Sequence, residues 1–341
     1  MVEPASVRAV ETAGGASRGE YRSIPGALNL SLLALSGSAA AACLWWASHA
    51  PTGWWVVAAA VVFSFVNNTV FALLHEAVHG VFHSSKRINH WGGRVAAAFF
   101  PTGYLVQRAF HVTHHRNNRS RFEQFDYLHD GDVKWLKVAQ WYAILTGVYW
   151  AVTVLGVAAF LVVPRALRLR LLRAGESRVA EQTSSGPYLD ALDALPTVPA
   201  RLELVGTAAF QLVMAFALDL NWTGWLACYA AFGLNWSSLQ YADHAFSPLD
   251  NQNGAWNLRV NRVVRAVFLN YHFHLAHHQH PKAAWIHLPA LVDPHQPRPR
   301  FLAVWWSMWR GPRPYPGIED VLRPNTGTTV GRGAVSVDSA R

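Results

Sequence analysis

The chain has 341 residues, of which 52% are apolar and only 14% are charged, and its net charge is +9. An average soluble protein has about 25% charged residues, so this composition argues against a soluble enzyme. The basic surplus consists mostly of arginines between long apolar stretches, which is typical of membrane proteins. A nucleic-acid-binding protein would instead carry its basic residues on a polar body. We therefore expect an integral membrane protein without a nucleic-acid partner.

The first part of the chain predicts a hairpin of two membrane-spanning helices. Residues 1–26 form a polar lead that we expect to be flexible and cytoplasmic. The apolar segments 27–48 and 54–74 each have about the 20 residues that a bilayer crossing needs. A tight turn at 49–53 separates them, and paired tryptophans flank this turn on both sides. Such paired tryptophans indicate a hairpin tip at the membrane interface.

The middle of the chain contains one ambiguous apolar segment. Residues 84–137 are rich in arginine and histidine and are predicted to be cytoplasmic. The segment 141–163 is long enough to cross, but crossing would place the following arginine run on the outer side, against the charge rule. We therefore predict a re-entrant or interfacial helix here, with Gly147 and Gly156 as weak points. The segments 202–218 and 222–239 then form a second transmembrane hairpin.

This arrangement gives an all-α integral membrane protein with about four transmembrane helices in two hairpins. Re-entrant or interfacial helices and a cytoplasmic cap with the histidine clusters complete it. The membrane domain is predicted over residues 27–310, and a flexible tail over 311–341. Both termini and the histidine clusters lie on the cytoplasmic side of what we expect to be the cytoplasmic membrane.

Histidine, with 17 residues, is concentrated in three clusters. They are His75-Glu-Ala-Val-His79, His111-Val-Thr-His114-His115 and His274-Leu-Ala-His277-His278. These spacings place the imidazoles of each cluster on one face of a helix. The chain has two copies of the pattern H-x-x-H-H, where chance would give about 0.04 at this histidine content. The clusters therefore predict metal ligands, because imidazole binds iron, copper, zinc and nickel.

His244 is a ninth candidate ligand, because an ionisable residue at the end of a membrane span is usually functional. Nine imidazoles exceed the four to six ligands of one metal and indicate two. Metal-bound imidazoles usually donate their second N–H to a carboxylate or carbonyl group. Neighbouring residues could support the ligands in this way, although the carboxylates could equally be solvated. These residues are Glu76, Asp243, Gln240, His83 and His272.

The three clusters resemble the histidine boxes of the membrane fatty acid desaturase–hydroxylase superfamily, which read H-x(3–4)-H, H-x(2–3)-H-H and H/Q-x(2–3)-H-H. The resemblance covers about residues 27–290, and a hairpin precedes the first and the third box in both. Asn270-Tyr-His272 before the third box, and Pro281 and Trp285 after it, resemble the acyl-lipid desaturase branch. His244 matches the further histidine that completes the ligand set in that superfamily. The long stretch after the second box and the lack of a cytochrome b5-like His-Pro-Gly-Gly motif depart from it.

The resemblance implies two iron ions held by the nine histidines over an apolar tunnel, with O2 as co-substrate. Electrons would come from a separate ferredoxin, rubredoxin or cytochrome b5 type of carrier. The expected reaction is desaturation of an acyl chain, as a membrane lipid or in another form. The alternative within the superfamily is a hydroxylase or ketolase acting on a carotenoid, sterol, alkane or small specialised metabolite, because the same ligands serve both outcomes.

Two interpretations lie outside the superfamily. His75-Glu76-x-x-His79 is also the zinc metallopeptidase signature, and Leu249-Asp250 echoes the distal motif of intramembrane proteases. That hypothesis leaves both three-histidine boxes unexplained. A metal store or transporter would place its ligands along the spans and not at one face.

Arginines beside the second box offer a possible partner surface. They are either held by anionic lipid or dock an acidic electron carrier. The residues concerned are Arg108, Arg116, Arg119 and Arg121.

Overall fold

The structure of the chain is a computed structural model that describes residues 23–164, 167 and 186–317. These residues are predominantly α-helical, as the sequence predicts. Most of the predicted lead at 1–26 and tail at 311–341 lies outside the described residues, as does nearly all of the arginine run that follows residue 163. The predicted flexibility of the two ends stays a prediction.

The first hairpin is confirmed as two antiparallel helices, α1 (Gly26–His49) and α2 (Gly53–His79), which pack along each other. Helix α2 extends one turn beyond the predicted apolar segment, so the first histidine cluster forms its last turn. Gly80 ends the helix in the left-handed conformation, with φ of 76° and its N–H bonded to the carbonyl of Ala77. Glycine tolerates this backbone conformation without the steric cost of a side chain.

Two shorter helices follow the first hairpin, α3 (Lys86–Phe99) and α4 (Tyr104–Asn117). Helix α4 carries the second histidine cluster on its C-terminal half. After a 3-10 turn at Arg121–Glu123, the short strand β1 (Tyr127–Leu128) pairs in parallel with β2 (Arg313–Pro314) near the end of the described chain.

The ambiguous segment is a broken helix. Helices α5 (Lys134–Leu145) and α6 (Val148–Val162) meet at an angle of 99°. Gly147 lies at the break with φ of 81°, so it is the predicted weak point. Gly156 is not a second one, because it lies inside α6. The predicted start at 141 is also wrong, since helix α5 begins at Lys134. Its first turns are polar, so hydropathy alone does not include them.

The second predicted hairpin is formed by α8 (Thr197–Ala217) and α9 (Trp222–Ala242), after the short helix α7 (Gly186–Asp193). In the described part of the chain, α1, α2 and α8 are long and apolar enough to cross a membrane, and the α5–α6 pair makes a fourth if it counts as one span. Helix α9 has sufficient length, but polar residues such as Asn235 and Gln240 lower its apolarity. Its crossing stays a prediction that rests on its pairing with α8.

Helix α9 lies at the centre of the bundle, where it packs against α1 and α2. The tips of the two hairpins meet, because Asn221 of the second tip donates a hydrogen bond to the carbonyl of Ser48 in the first. The outward faces of the helices expose large apolar side chains, including Phe216 at 84%. Such exposed apolar faces are expected where helices contact lipid.

The end of the bundle opposite the tips is covered by the last third of the chain. Short helices there are α10 (Arg262–Val267), α11 (His274–Gln279) and α12 (Phe301–Met308). Helix α11 consists almost entirely of the third histidine cluster and is buried against the ends of α2, α4 and α9.

The break between α5 and α6 at Gly147, called the elbow below, gives a matched pair of stability predictions. A β-carbon at Gly147 would lie 2.5 Å from the backbone nitrogen of Leu234 in α9, and the positive φ disfavours any side chain. At Gly156, in contrast, a β-carbon would meet nothing within 4 Å. We expect Gly147→Ala to destabilise the protein by about 1–3 kcal/mol or more and Gly156→Ala to be neutral or slightly stabilising. Thermal unfolding in detergent measures both, and equal midpoints would contradict the elbow's packing.

Candidate metal centre

The three histidine clusters and His244 meet at the end of α2, where they form two sets. The first histidine set contains one ligand atom from each of four residues, all within 4.8 Å of one another. Its members are His75, His79, His111 and His277. The second histidine set meets the same limit. Its members are His114, His244, His274 and His278.

His115 belongs with the first histidine set by distance. Its Nε2 lies 2.9 Å from Nε2 of His111 and 3.1 Å from Nε2 of His277. Its ring also lies 4.3 Å from that of His278, so it borders the second set. All nine predicted ligands are therefore brought together, five in one set and four in the other.

Helix geometry explains how the histidines of each cluster are divided between the sets. Residues four apart on a helix lie on one face, whereas adjacent residues diverge by about 100°. His75 and His79 accordingly join the same set, as do His111 and His115 in the second cluster. His114, adjacent to His115, turns to the other set. The third cluster repeats the pattern, because His274 and His278 share a set and His277 joins the other one.

The distances between ligand nitrogens are close to those around a bound metal ion, and in the first set the shortest of them is below that range. Nitrogens that are each about 2.1 Å from one metal lie about 3.0–3.4 Å from each other. Within the first set, Nε2 of His79 is 2.7 Å from Nε2 of His111. Within the second set, Nε2 of His274 is 3.3 Å from Nε2 of His278. The two sets could therefore each hold a metal ion, and their all-imidazole character suits iron, copper, zinc or nickel.

The electrostatics of the site keep its imidazoles neutral. Burial and, to a smaller extent, the neighbouring imidazole of His114 lower the pKa of His115 to about 3. Several further imidazoles have pKa values well below the ordinary value, mainly because they are buried and to a smaller extent because other histidines are near. They are His111, His244, His274, His277 and His278. Neutral imidazole is the form that ligates a metal.

His244 is oriented by the loop that follows α9. Its Nδ1 lies 2.8 Å from the carbonyl oxygen of Gly254, and its buried Nε2 has no hydrogen-bond partner among the described residues. The carbonyl therefore selects the tautomer with the proton on Nδ1 and leaves Nε2 for the second set. Gly254 is required here, since a β-carbon would collide with the side chain of Arg119 at 2.2 Å.

A carboxylate that the sequence interpretation missed lies beside the second set. Oε2 of Glu123 is 3.5 Å from Nδ1 of His114, and its other oxygen accepts a hydrogen bond from the hydroxyl of Tyr188. Glu123 is buried, so it can both orient His114 and polarise it. Its position nine residues after His114 follows no helical or box spacing, and only the tertiary fold brings it to the site.

Two of the predicted supporting residues have partners at the site. Glu76 accepts the backbone N–H of Trp285 at 3.0 Å, which ties the end of α2 to the segment after the third box. Gln240 accepts the hydroxyl of Tyr271 at 2.9 Å, and the Tyr271 ring lies 5.0 Å from those of both His75 and His274.

The other three predicted supporting residues, Asp243, His272 and His83, lie in different surroundings. Asp243 is fully buried, and neither of its carboxylate oxygens has a hydrogen-bond partner among the described residues. Burial raises the pKa of Asp243 well above its usual value. His272 is buried beside the ring of Phe273, 4.1 Å away, and burial lowers its pKa to about 3. The ring of His83 accepts the N–H of Ser85 and lies against Gly26, and not in either set.

A buried ion pair fastens the loop after the second box. Arg119 is completely buried and makes two hydrogen bonds to Asp126, at 3.0 and 2.9 Å. Asp126 also accepts the Tyr241 hydroxyl and the N–H of Phe246, so it joins this loop to the end of α9. Arg119 therefore cannot dock a carrier at the surface, and that expectation is wrong. Arg108 and Arg116 are exposed, and the side chain of Arg121 is half exposed.

A cavity of about 120 Å³ adjoins the two sets and is lined by His111, His114 and His244. It lies between α4 and α9 and is bordered by residues of α5 and α6. Aromatic side chains such as Phe71 and Trp236 form much of its wall. A small reacting group could therefore approach ligands of both sets in a largely apolar surrounding.

Comparison with known families identifies one match. The family described as fatty acid desaturase matches residues 27–309, which include every predicted ligand. A search of curated proteins finds no match to the chain.

The division into two sets predicts separate metal losses. His111→Ala removes a ligand from the first set and His274→Ala one from the second, so each should lower the metal content from two ions per chain to about one. The double variant should hold almost none. Elemental analysis of purified protein measures this, with His49→Ala at the hairpin tip as the control. Retention of both metals in both single variants would contradict the assignment.

The two arginines at 119 and 121 give a second test. Arg119→Gln leaves Asp126 buried without its cation, which we expect to cost about 3–5 kcal/mol of stability. Arg121 pairs with Asp132 at 3.4 Å near the surface, so Arg121→Gln should cost less than about 1 kcal/mol. Thermal unfolding in detergent compares the two variants. Similar midpoints would show that the Arg119–Asp126 pair does not hold the loop.

Proposed function

The chain belongs to the fatty acid desaturase family, which is a family of oxidoreductases, and we propose that it is a di-iron membrane enzyme that desaturates an acyl chain. The observation that carries the proposal is the pair of buried all-imidazole sets beside one cavity. Two neighbouring metals, held without carboxylate ligands and open to a common cavity, suit oxidation of a substrate bound there.

When bound, two iron ions would supply the redox chemistry by which O2, two electrons from the carrier and two protons from solvent remove two hydrogens from adjacent carbons and yield an alkene and two waters. The chain's own residues bind the substrate, orient it and exclude water. Phe71, Phe110 and Trp236 form apolar cavity walls beside the sets. An environment without water protects an oxidising centre from side reactions.

The zinc metallopeptidase hypothesis has less support. His75 and His79 are joined by two further histidines, His111 and His277. The proposed distal ligand, Asp250, is half-buried, and its carboxylate accepts a hydrogen bond from the N–H of Asn253. Glu76 in the general-base position is engaged by the N–H of Trp285.

Hydroxylation or ketone formation is the alternative outcome within the family. The same metal ligands serve both reactions, so the position of the substrate decides between them. The observation that favours this alternative is the polar part of the cavity lining, which includes Ser237, Gln240 and Glu123.

We further propose that the histidine end of the bundle faces the cytoplasm, in the cytoplasmic membrane. Exposed basic residues such as Arg108 and Arg116 lie on α4 at this end, which agrees with the positive-inside rule. Together with Arg121, they would attract an acidic carrier of the ferredoxin, rubredoxin or cytochrome b5 type. Neutralising them should then reduce turnover and weaken its dependence on salt.

Profiling of cells with and without the protein tests the proposed reaction. Cells that express the wild-type chain should accumulate a product with two hydrogens fewer than its precursor. His277→Ala removes a ligand of the first set and should abolish this product. His49→Ala, at the opposite end of the bundle, should retain it.

Lipid and metabolite mass spectrometry together with elemental analysis provides the measurement. A product with one added oxygen would select the hydroxylase alternative. One zinc and no iron per chain, or full activity in His277→Ala, would contradict the di-iron proposal.

A further inference from the structure

The cavity beside the metal centre takes its lining from two helix faces. On α4, Gln107 lies one turn before His111. On α9, Ser237 lies two turns and Gln240 one turn before His244, and all three line the cavity. Residues with these spacings share one side of a helix. The same two faces therefore supply metal ligands and substrate contacts.

Two of these cavity-lining groups lack a hydrogen-bond partner in the described part of the chain. Ser237 is 0% exposed, and its hydroxyl has none. The amide of Gln240 is fixed through its oxygen by the hydroxyl of Tyr271 at 2.9 Å. Its Nε2 is buried and unpaired among the described residues.

The neighbouring Ser238, which faces away from the cavity, provides a direct comparison. Ser238 is also buried, but it does not line the cavity, and its hydroxyl donates to the carbonyl of Leu145 at 3.3 Å. Buried polar groups in native proteins nearly always have a partner, and an exception needs an explanation such as a bound ligand or water. At Ser237 and Gln240 both exceptions face the place where the substrate would bind.

The chemistry of these groups defines the matching ligand atom. An amide N–H2 only donates, and a serine hydroxyl can donate alongside it, so both suit an oxygen acceptor. In the described residues, no lysine or arginine lines the cavity, whereas the carboxylate of Glu123 does. An anionic carboxylate or phosphate would find no cationic side chain to pair with there. The fitting group is a neutral carbonyl or hydroxyl oxygen.

We propose that the substrate carries a neutral oxygen function, held by Ser237 and Gln240, within a few bonds of the carbon that is oxidised. The short separation follows from the helix, since Gln240 precedes the ligand His244 by four residues, about 6 Å along the axis. The inference rests on the proposed function and narrows its substrate class. A plain hydrocarbon segment would leave both donors unpaired.

Binding of uncharged C12 probes tests this without turnover. The purified, metal-loaded full chain in detergent is equilibrated with dodecane, with each of dodecan-2-one to dodecan-6-one, and with dodecanoate. Retained probe is quantified by mass spectrometry. At least one ketone should bind about tenfold more tightly than dodecane, which corresponds to 1.4 kcal/mol. Dodecanoate should gain no such advantage.

Variants assign the effect to the two donors. The double variant with Ser237→Ala and Gln240→Leu should lose the ketone advantage and keep the affinity for dodecane. Ser237→Ala alone should lose part of it, which covers the case in which the double variant does not fold. Ser238→Ala is the matched control and should keep the full advantage.

Three results would overturn the inference. They are equal binding of dodecane and all ketones, an undiminished ketone advantage in the double variant, and a preference for dodecanoate. Because the assay needs no reaction, a chain without desaturase activity can still show the ketone preference. Conversely, a desaturase of plain acyl segments would keep its turnover and fail this binding test.

Discussion

The structure depends on the convergence of nine imidazoles from four separate segments into two sets that could each hold a metal ion. Three short stretches of helix meet it because residues four apart share a face and adjacent residues do not. Each pair with i, i+4 spacing joins one set, and in the second and third clusters the histidine beside one member of the pair turns to the other set. The doubled histidines at 114–115 and 277–278 are therefore the links between the two sets. The spacing of the histidines within each box is a consequence of this geometry.

The rest of the fold positions those segments relative to one another. Two hairpins joined at their tips fix the ends of α2 and α9 side by side. The buried pair of Arg119 and Asp126 then connects the loop after α4 to the end of α9. Arg119 also packs against Gly254, whose carbonyl orients His244. The guanidinium of Arg119, although costly to bury, thus links the second box to His244, the predicted ligand that lies outside the three boxes.

Local patterns in the sequence were sufficient for the helices, the first hairpin and the nine histidines, because apolar length and helical spacing act over a few residues. They could not reveal Glu123 and Tyr188, which are 65 residues apart and meet only in the folded chain. The burial of Arg119 was likewise missed, since a rule based on composition treats every cytoplasmic arginine as solvated. Gly147 and Gly156 look alike in sequence, and only the contact of Gly147 with α9 makes it the elbow.

The proposed substrate contacts lie on the ligand-bearing helices but outside the ligands, which would separate reaction outcome from metal binding. Gln107 of α4 donates to the hydroxyl of Thr102, and Gln240 of α9 is held by Tyr271, so both amides are fixed before a substrate enters. Substitutions one turn away from a ligand can therefore reshape the cavity and leave the histidines in place. Since the boxes are compatible with several reactions, the residues that select among them must lie outside the boxes. In this chain, the cavity faces of α4 and α9 are where such selection can act.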